Sequence, residues 1–190
     1  MNGIVFLDRD GTIIEEAGYL DDPARMREIP GAAESLLRLV RAGYLIAVVS
    51  NQAGLAKGKF GEAQMEAVHR AFVDHFRSRG VAFDEVAYCP HHPEGRVEKY
   101  KLVCGCRKPA TGMAERILAR LSVPPSCKRW MVGDKMSDML MGKGIGAATI
   151  LVATGYGEEE RLAMERRGVH PDLFVPSIRD AVDRILSGRA

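Results

Sequence analysis

The feature that most constrains this chain is a regular alternation of short apolar runs with longer amphipathic stretches. The runs have the length of buried strands, and the stretches between them carry apolar residues at helical spacing, as Met65, Val68 and Phe72 do. This alternation predicts a doubly wound α/β fold, in which a mostly parallel sheet carries helices on both faces. We expect a single domain over residues 1–190. The expected strands are Ile4–Leu7, Tyr44–Val49, Val86–Cys89, Arg129–Val132, Thr149–Ala153 and Leu173–Val175.

Composition and charge exclude several classes of protein. Of the 190 residues, 46% are hydrophobic and 27% are charged, which is typical of a globular chain. A net charge of +2 favours neither a nucleic-acid partner nor a membrane surface. No apolar run approaches the roughly 18 residues of a transmembrane helix, and the run before Asp8 is too short for a signal peptide. We therefore expect a cytoplasmic protein and, without an obvious apolar surface stripe, a monomer.

Carboxylates follow two of the expected strands. Asp8 and Asp10 come directly after the first strand, and Asp134 and Asp138 come after the fourth. Because ligands of parallel sheets bind beyond the carboxyl ends of the strands, we expect these side chains at one edge. Four carboxylates brought together without compensation repel one another, and an all-oxygen ligand set favours Mg²⁺. The sequence therefore predicts a magnesium site at this edge.

Groups suited to a phosphoryl ligand accompany these carboxylates. Ser50 ends the second strand, Lys108 lies downstream, and Gly11 and Thr12 form a turn with free backbone N–H groups. A hydroxyl, an ammonium, backbone amides and Mg²⁺ together are what a transferring phosphoryl group needs.

The long polar segment from residue 89 to residue 106 predicts a second metal site. Cys89 and His91 form one tight cluster, and Cys104 and Cys106 form another. Three thiolates and an imidazole suit tetrahedral Zn²⁺, and four protein ligands indicate a structural ion. On the spacing alone, His92 is an equal candidate for the imidazole ligand. A reducing cytosol argues against disulfides, and the fourth cysteine of the chain, Cys127, has no partner in this pattern.

Four motifs in order resemble those of the haloacid dehalogenase-like phosphatases. They are DRDGT (Asp8–Thr12), Ser50, Lys108 and GDKMSD (Gly133–Asp138). The resemblance implies that Asp8 attacks phosphorus to form an aspartyl phosphate. It implies that Asp10 protonates the leaving alcohol and then activates water, and that Ser50 and Lys108 hold the phosphoryl oxygens.

The same resemblance implies the magnesium ligands. They are Asp8, the backbone carbonyl of Asp10, and Asp134, with Asp138 orienting the metal shell. Many relatives have a second acid directly after the first acid of the fourth motif. Here that residue is Lys135, which suggests a phosphate contact instead.

Four further segments single out one family within this superfamily. They are CPHHPEG (Cys89–Gly95), CGCRKP (Cys104–Pro109), SNQAGLAKG (Ser50–Gly58) and GYL (Gly18–Leu20). They are similar to those of the D-glycero-D-manno-heptose 1,7-bisphosphate phosphatases. That family removes the C7 phosphate of a small sugar bisphosphate, and the likeness makes His91 the zinc ligand and Arg107 a substrate-recognition residue. The substrate contacts that it implies are Glu16, Ala17, Gly18, Tyr19, Ser50, Asn51, Gln52, Ala53, Arg107, Lys108 and Lys135.

Three other functions compete with this interpretation. Histidinol-phosphate phosphatases share the aspartates and a zinc loop, although that loop is usually shorter than the stretch from His91 to Cys104 here. A polynucleotide phosphatase would need a basic excess and an aromatic platform. A non-catalytic phosphoryl-binding protein would not need both Asp8 and Asp10. The spacing of the motifs leaves no room for a large cap domain.

The sequence does not indicate which anomer at C1 of the heptose is preferred. That preference decides whether the product leads to a lipopolysaccharide precursor or to a GDP-activated heptose.

Overall fold

Six parallel strands form one sheet within residues 1–188, which are the residues that this computed structural model describes. The strands are β1 (Gly3–Leu7), β2 (Tyr44–Asn51), β3 (Glu85–Cys89), β4 (Arg129–Gly133), β5 (Ala148–Val152) and β6 (Leu173–Val175). Their order across the sheet is β3-β2-β1-β4-β5-β6, and every neighbouring pair is parallel. The chain therefore starts in the middle of the sheet and extends it first to one side and then to the other, which confirms the doubly wound arrangement.

Helices cover both faces of this sheet. The helices are α1 (Ala32–Arg41), α2 (Glu62–Arg77), α3 (Gly112–Arg120), α4 (Met136–Gly144), α5 (Gly157–Arg166) and α6 (Ile178–Ser187). Successive residues of a strand point to opposite faces, so Val5 and Leu7 pack with α1, α2 and α6, whereas Ile4 and Phe6 pack with α3 and α4. Because both faces are buried, the central strands are continuous apolar runs and not alternating ones.

The expected strands are all present, with ends that differ by one or two residues. The difference that matters is at β2, which continues to Asn51, so that Ser50 belongs to the strand itself. Helix α4 begins between Asp134 and Asp138, as the spacing of those residues suggests. The sequence pattern does not predict α5, because only Gly157 and Met164 of this highly charged helix are buried.

The connections at the carboxyl edge stay short. The segment between β1 and α1 holds a single 3-10 turn at Pro23–Arg25, and the segment after β3 holds another at Glu98–Tyr100. Within residues 1–188 no insertion is large enough to form a cap domain. No helix in the same range is both long and apolar enough to cross a membrane.

Candidate active site

A cleft of about 500 Å³ opens where β1, β2 and β4 end side by side. The connections from these adjacent strands leave in different directions, and this leaves a crevice at the carboxyl edge. Asp8, Ser50 and Asp134 follow or end the three strands, so the order of the sheet brings them together. Besides Asp8 and Ser50, the residues that line the cleft are Arg9, Asp10, Glu16, Gly18, Tyr19, Leu20, Asn51, Gln52, Ala53, Gly54, Arg107, Lys108, Lys135, Ser137, Tyr156 and Glu160.

The buried ammonium of Lys108 joins two of the carboxylates. Its Nζ lies 2.8 Å from Oδ1 of Asp8 and 2.6 Å from Oδ1 of Asp138, and it donates to the carbonyl of Val49 at 2.7 Å. Burial opposes its charge, but Asp138 and Asp8 together raise the pKa of Lys108 above its ordinary value. The lysine is therefore a fixed positive charge at the floor of the cleft.

The carboxylates themselves differ in charge. Burial opposes ionisation of Asp8, yet Lys108 and Lys135 outweigh it and hold the pKa of Asp8 below its ordinary value. Burial and the negative charge of Asp8 raise the pKa of Asp134 to about 8. Burial likewise raises the pKa of Asp138 to about 6, although Lys108 opposes it. Ionisation of all three carboxylates would thus place more negative charge in the cluster than its two lysines compensate.

These carboxylates fit a divalent cation. One oxygen each of Asp8, Asp134 and Asp138 lies within 4.8 Å of the others. Oδ1 of Asp134 is buried without a hydrogen-bond partner among residues 1–188, and the ammonium of Lys135 lies 3.5 Å from it. Such an unpartnered buried oxygen is costly unless a ligand satisfies it, and an all-oxygen donor set suits Mg²⁺. The side chain of Asp138 is thus nearer the expected metal position than the side chain of Asp10.

The carboxylate of Asp10 faces another part of the cleft. Its Oδ2 accepts hydrogen bonds from Nε2 of Gln52 at 2.9 Å and from Nε of Arg9 at 3.0 Å. Gln52 also donates to Oγ of Ser50 at 2.7 Å. Asp10 and Ser50 are therefore linked through Gln52 on the β2 side of the cleft, away from the carboxylate cluster.

A close approach of two backbone turns supports Asp134. The backbone N–H of Tyr156 donates to Oδ2 of Asp134 at 3.0 Å, and Oγ1 of Thr154 donates to the carbonyl of Gly11 at 2.6 Å. A Cβ on Gly155 would lie 2.3 Å from Oδ2 of Asp134. The sequence interpretation did not identify this Thr-Gly-Tyr segment. Its signal would have been a polar, glycine-containing turn directly after β5, like the turns after β1 and β4.

The flap of residues 16–20 closes one side of the cleft. Glu16 accepts a hydrogen bond from the backbone N–H of Gly18 at 2.8 Å and forms an ion pair with Nζ of Lys135 at 3.1 Å. The ring of Tyr19 lies 5.9 Å from the ammonium of Lys57 and 5.6 Å from that of Lys59. The flap therefore spans from the fourth motif to the loop after β2.

Asn51 contacts the protein backbone in a way that the sequence interpretation did not foresee. Its Nδ2 donates to the carbonyl of Lys108 at 3.1 Å, and its Oδ1 accepts from the N–H of Lys108 at 3.0 Å. This paired contact fixes the backbone that presents Lys108. Asn51 borders the cleft, but its amide is already engaged.

Arg107 comes directly before Lys108 in the sequence. It donates to the carbonyl of His91 at 3.2 Å and lines the cleft.

The second candidate metal centre lies beside this arginine. Its four candidate donor atoms are three sulfurs and one nitrogen. Sγ of Cys106 is 3.1 Å from Sγ of Cys89, 3.2 Å from Sγ of Cys104 and 3.4 Å from Nδ1 of His91. All four donor atoms lie within 4.8 Å of one another, which suits a tetrahedral Zn²⁺. Nδ1 of His92 instead accepts from the backbone N–H of Glu94, so the structure favours His91. Cys127 lies elsewhere, next to Met1.

The fold and this site together define a haloacid dehalogenase-like hydrolase, and comparisons with known proteins agree. A family model described as HAD-hydrolase-like matches residues 105–181. The D-glycero-beta-D-manno-heptose-1,7-bisphosphate 7-phosphatase of Pasteurella multocida is 42% identical over 82% of this chain and 84% of its own length. Its counterpart from Escherichia coli K12 is 40% identical over 80% of this chain and 79% of its own length.

A solved structure is similar over nearly the whole chain. The D,D-heptose 1,7-bisphosphate phosphatase from B. bronchiseptica, complexed with magnesium and phosphate, superimposes with a TM-score of 0.83 at 27% identity. The match covers 98% of this chain and 99% of that one. This chain therefore belongs to the heptose 1,7-bisphosphate phosphatase family of the HAD-like hydrolases.

Proposed function

We propose that this chain is a Mg²⁺-dependent phosphatase that removes the C7 phosphate of D-glycero-β-D-manno-heptose 1,7-bisphosphate. The observation that carries the proposal is the buried cluster of Asp8, Lys108, Asp134 and Asp138 at the strand ends of a fold shared with such enzymes. We choose the β anomer, which the sequence alone does not indicate, because the relatives described above are named as phosphatases of that anomer.

Asp8 is the nucleophile in this proposal. Its carboxylate is held ionised by Lys108 and attacks phosphorus, which forms an aspartyl phosphate as the bond to the C7 oxygen breaks. Lys108 and Ser50 hold the oxygens of the transferring group. The carboxylates of Asp8 and Asp134 and the backbone carbonyl of Asp10 would hold Mg²⁺, and Asp138 would orient its shell. The ion supplies charge neutralisation of the phosphoryl oxygens when it is bound.

Asp10 transfers the protons. It gives a proton to the departing C7 oxygen, and it later takes one from the water that attacks the aspartyl phosphate. Water then forms the new bond to phosphorus while the bond to Asp8 breaks. Its place beside Gln52 and Ser50 keeps it near the phosphoryl position but outside the metal cluster.

The second phosphate selects the substrate. Arg107 borders the open side of the cleft and is suited to bidentate phosphate recognition. Lys135 leaves its contact with Glu16 for a phosphate oxygen, and Gly18 and Tyr19 of the flap shield the sugar together with Gln52 and Ala53. Ala17, which the resemblance also implies as a contact, packs against the core instead of lining the cleft. Because residues 1–188 contain no cap domain, the flap and the zinc loop are the parts that exclude water.

The zinc centre is structural in this proposal. Four protein ligands leave no open coordination position for chemistry. The ion closes the loop from Cys89 to Cys106 and so fixes Arg107, which follows the last ligand directly. We also propose that the protein acts in the cytoplasm as a monomer, which light scattering would report as a mass near 20.8 kDa.

Phosphate release from three substrates tests the proposal. The α and β heptose 1,7-bisphosphates and histidinol phosphate are compared by kcat/KM in the presence of Mg²⁺. We expect a preference of about a hundredfold or more for the β bisphosphate over histidinol phosphate, because histidinol phosphate has no second phosphate for Arg107 to bind. Faster turnover of histidinol phosphate would contradict the proposed substrate but would be consistent with the proposed roles of the aspartates. Release from none of them would favour a protein that binds phosphoryl ligands without hydrolysis.

Two variants test the proposed roles on the preferred substrate. Asp8→Asn and Asp10→Asn each remove one oxygen function with little change of volume, and each is expected to reduce turnover by at least about a hundredfold while the thermal midpoint stays near the wild-type value. Normal turnover in either variant contradicts the role assigned to that aspartate.

A further inference from the structure

The general acid and base of the proposed mechanism is held by its neighbour in the sequence. Nε of Arg9 lies 3.0 Å from Oδ2 of Asp10, and Nη2 of Arg9 lies 3.0 Å from Oδ1. The planar guanidinium therefore binds the carboxylate as a fork, with both side chains largely buried, at 7% and 16% exposure. Among residues 1–188, Asp10 is the only acceptor that the Arg9 side chain reaches.

The two oxygens of this carboxylate are not equivalent. Oδ2 accepts from Nε of Arg9 and from Nε2 of Gln52, which uses both of its lone pairs. Nη2 of Arg9, at 2.9 Å, and Oγ of Ser50, at 3.5 Å, also lie beside Oδ2. Oδ1 accepts from Nη2 of Arg9 alone, so one of its lone pairs stays free. A proton that passes to or from Asp10 can reach Oδ1 without displacing a hydrogen bond, whereas at Oδ2 it would have to displace one.

We propose that Arg9 is a positioning residue that orients Asp10 so that Oδ1 exchanges the proton with the leaving group and with water. In the first step the carboxylate of Asp8 bonds to phosphorus, and the bond between phosphorus and the C7 oxygen breaks. The proton moves at the same time from Oδ1 of Asp10 to the C7 oxygen. In the second step Oδ1 takes a proton from water as the water oxygen bonds to phosphorus and Asp8 departs. The inference rests on the role of Asp10 in the proposed function.

The fold explains why such a clamp is needed. Asp10 lies beyond the end of β1, where the sheet no longer fixes its backbone, and no cap domain within residues 1–188 covers it. A general acid must lie within hydrogen-bond reach of the proton acceptor in the transition state. The fork of Arg9 and the amide of Gln52 supply that constraint from within the cleft. A lysine at position 9 would keep the charge but could not span both oxygens.

A comparison of two leaving groups separates positioning of the acid from general support of the site. The C7 alkoxide needs a proton to leave, whereas p-nitrophenolate leaves as a stable anion. The ratio kcat/KM reports the steps up to release of the alcohol, so the later activation of water does not enter it. For Arg9→Lys we expect kcat/KM on the heptose bisphosphate to fall about tenfold or more, which is part of what general acid catalysis contributes.

The same variant should change kcat/KM on p-nitrophenyl phosphate less than about threefold, and the loss on the sugar should be in kcat and not in KM. Ser137→Ala is the matched control, because Ser137 lines the cleft without contacting Asp10, and it should leave the ratio of the two substrates unchanged. Arg9→Gln can donate to only one oxygen of Asp10 and should give the same selective loss, and this variant serves if Arg9→Lys does not fold.

Equal losses on both substrates would overturn the inference, because Arg9 would then support the site as a whole. A rise in KM for the sugar with kcat unchanged would also overturn it, because Arg9 would then bind substrate directly. A wild-type protein that hydrolyses other alkyl phosphates but not the heptose bisphosphate would refute the proposed substrate only. In that case the leaving-group comparison is made with the alkyl phosphate that is turned over.

Discussion

At the scale of single residues, the site is built around a lysine that has several tasks. Lys108 is almost fully buried, and a buried ammonium is costly unless its donors are satisfied. Asp8, Asp138 and the carbonyl of Val49 satisfy all three donors. The same contacts keep Asp8 ionised and fix the side chain of Asp138 in the first turn of α4. One residue thus stabilises the site and prepares the proposed nucleophile.

Glycine at position 155 is required by packing against the carboxylate cluster, and this gives a matched pair of variants. Gly155 has φ +63° and Gly168 has φ +65°, so alanine costs about 1 kcal/mol of backbone strain at either position. At Gly155 the new Cβ would also lie 2.3 Å from Oδ2 of Asp134 and 2.6 Å from Cα of Gly11, whereas no atom lies within 4 Å of a Cβ at Gly168.

We therefore expect Gly155→Ala to lower kcat by about a hundredfold, since small displacements of reacting groups carry penalties of that order. Gly168→Ala should lose only the backbone contribution to the free energy of unfolding and keep its turnover. Phosphate release and urea unfolding measure both effects. Similar turnover in the two variants would show that Asp134 does not need this close approach.

At the scale of elements, the sheet edge at β6 depends on one side chain. β6 is short, and the carboxylate of Asp172 just before it accepts from the N–H and from Oγ1 of Thr149 in β5, both at 2.7 Å. Thr149 in turn accepts from the N–H of Asp172 at 3.0 Å. Burial is the largest single influence and opposes its charge, but these hydrogen bonds together outweigh it and hold the pKa of Asp172 below its ordinary value.

This pair makes the stability of the sheet edge depend on pH. A carboxyl group whose pKa is lower in the folded than in the unfolded chain stabilises the fold at any pH above its unfolded pKa. This contribution is lost as the pH falls through the pKa of the folded state. At pH 7 we expect Asp172→Asn to cost about 1 kcal/mol, at the low end for hydrogen bonds to a charged group because this carboxylate is exposed. The difference from wild type in urea unfolding should shrink as the pH falls below the ordinary aspartate pKa of 3.8. An unchanged difference across this range would contradict the account.

The zinc loop is the other element whose structure depends on a few side chains. Between Cys89 and Cys106 its regular structure is one 3-10 turn, so the loop has little apolar core of its own. We expect Cys104→Ser to lose bound zinc, as measured by metal content per chain, and to make the loop more susceptible to protease. Cys127→Ser is the matched control, because Cys127 lies outside the cluster, and it should keep its zinc. Equal zinc content in the two variants would contradict the zinc assignment.

At the scale of the whole molecule, the two metal sites are attached to the fold in different ways. The proposed magnesium ligands follow β1 and β4, central strands whose apolar side chains are buried on both faces. Of the proposed zinc ligands, only Cys89 lies in the sheet, at the end of β3, and the other three lie in the loop that follows. The two ions should therefore have separable effects on activity and on stability.

Removal of Mg²⁺ should stop phosphate release without unfolding the protein. In buffer freed of Mg²⁺ we expect turnover to vanish and to return on addition of the ion, with a thermal midpoint within about 2 °C of the starting value. A thiol-competitive zinc chelator should instead lower the midpoint, because zinc binds the folded loop and not the unfolded chain. Unfolding on removal of Mg²⁺ alone would contradict this division.

The sequence by itself determined the class of fold and the chemistry of the site. Buried parallel strands need continuous apolar runs, and these are visible locally, so the strands were predicted to within one or two residues of their ends. Metal-binding chemistry also shows in residue types, as with the carboxylates after β1 and β4 and the cysteine pairs of the zinc loop. Helix α5 escaped prediction because it buries too few side chains to leave an apolar pattern.

Only the tertiary structure decided which side chains meet. Asn51 is predicted to contact substrate and lines the cleft, and the structure adds that it binds the backbone of Lys108, which lies 57 residues away in the sequence. The support of Asp134 by the turn at Gly155, and the fork of Arg9 on Asp10, also had no sequence pattern to reveal them. Residue types specify what a group can bind, but distances between remote segments are set by strand order and by the packing of the whole sheet. That is why the chemistry of this site could be predicted before its geometry.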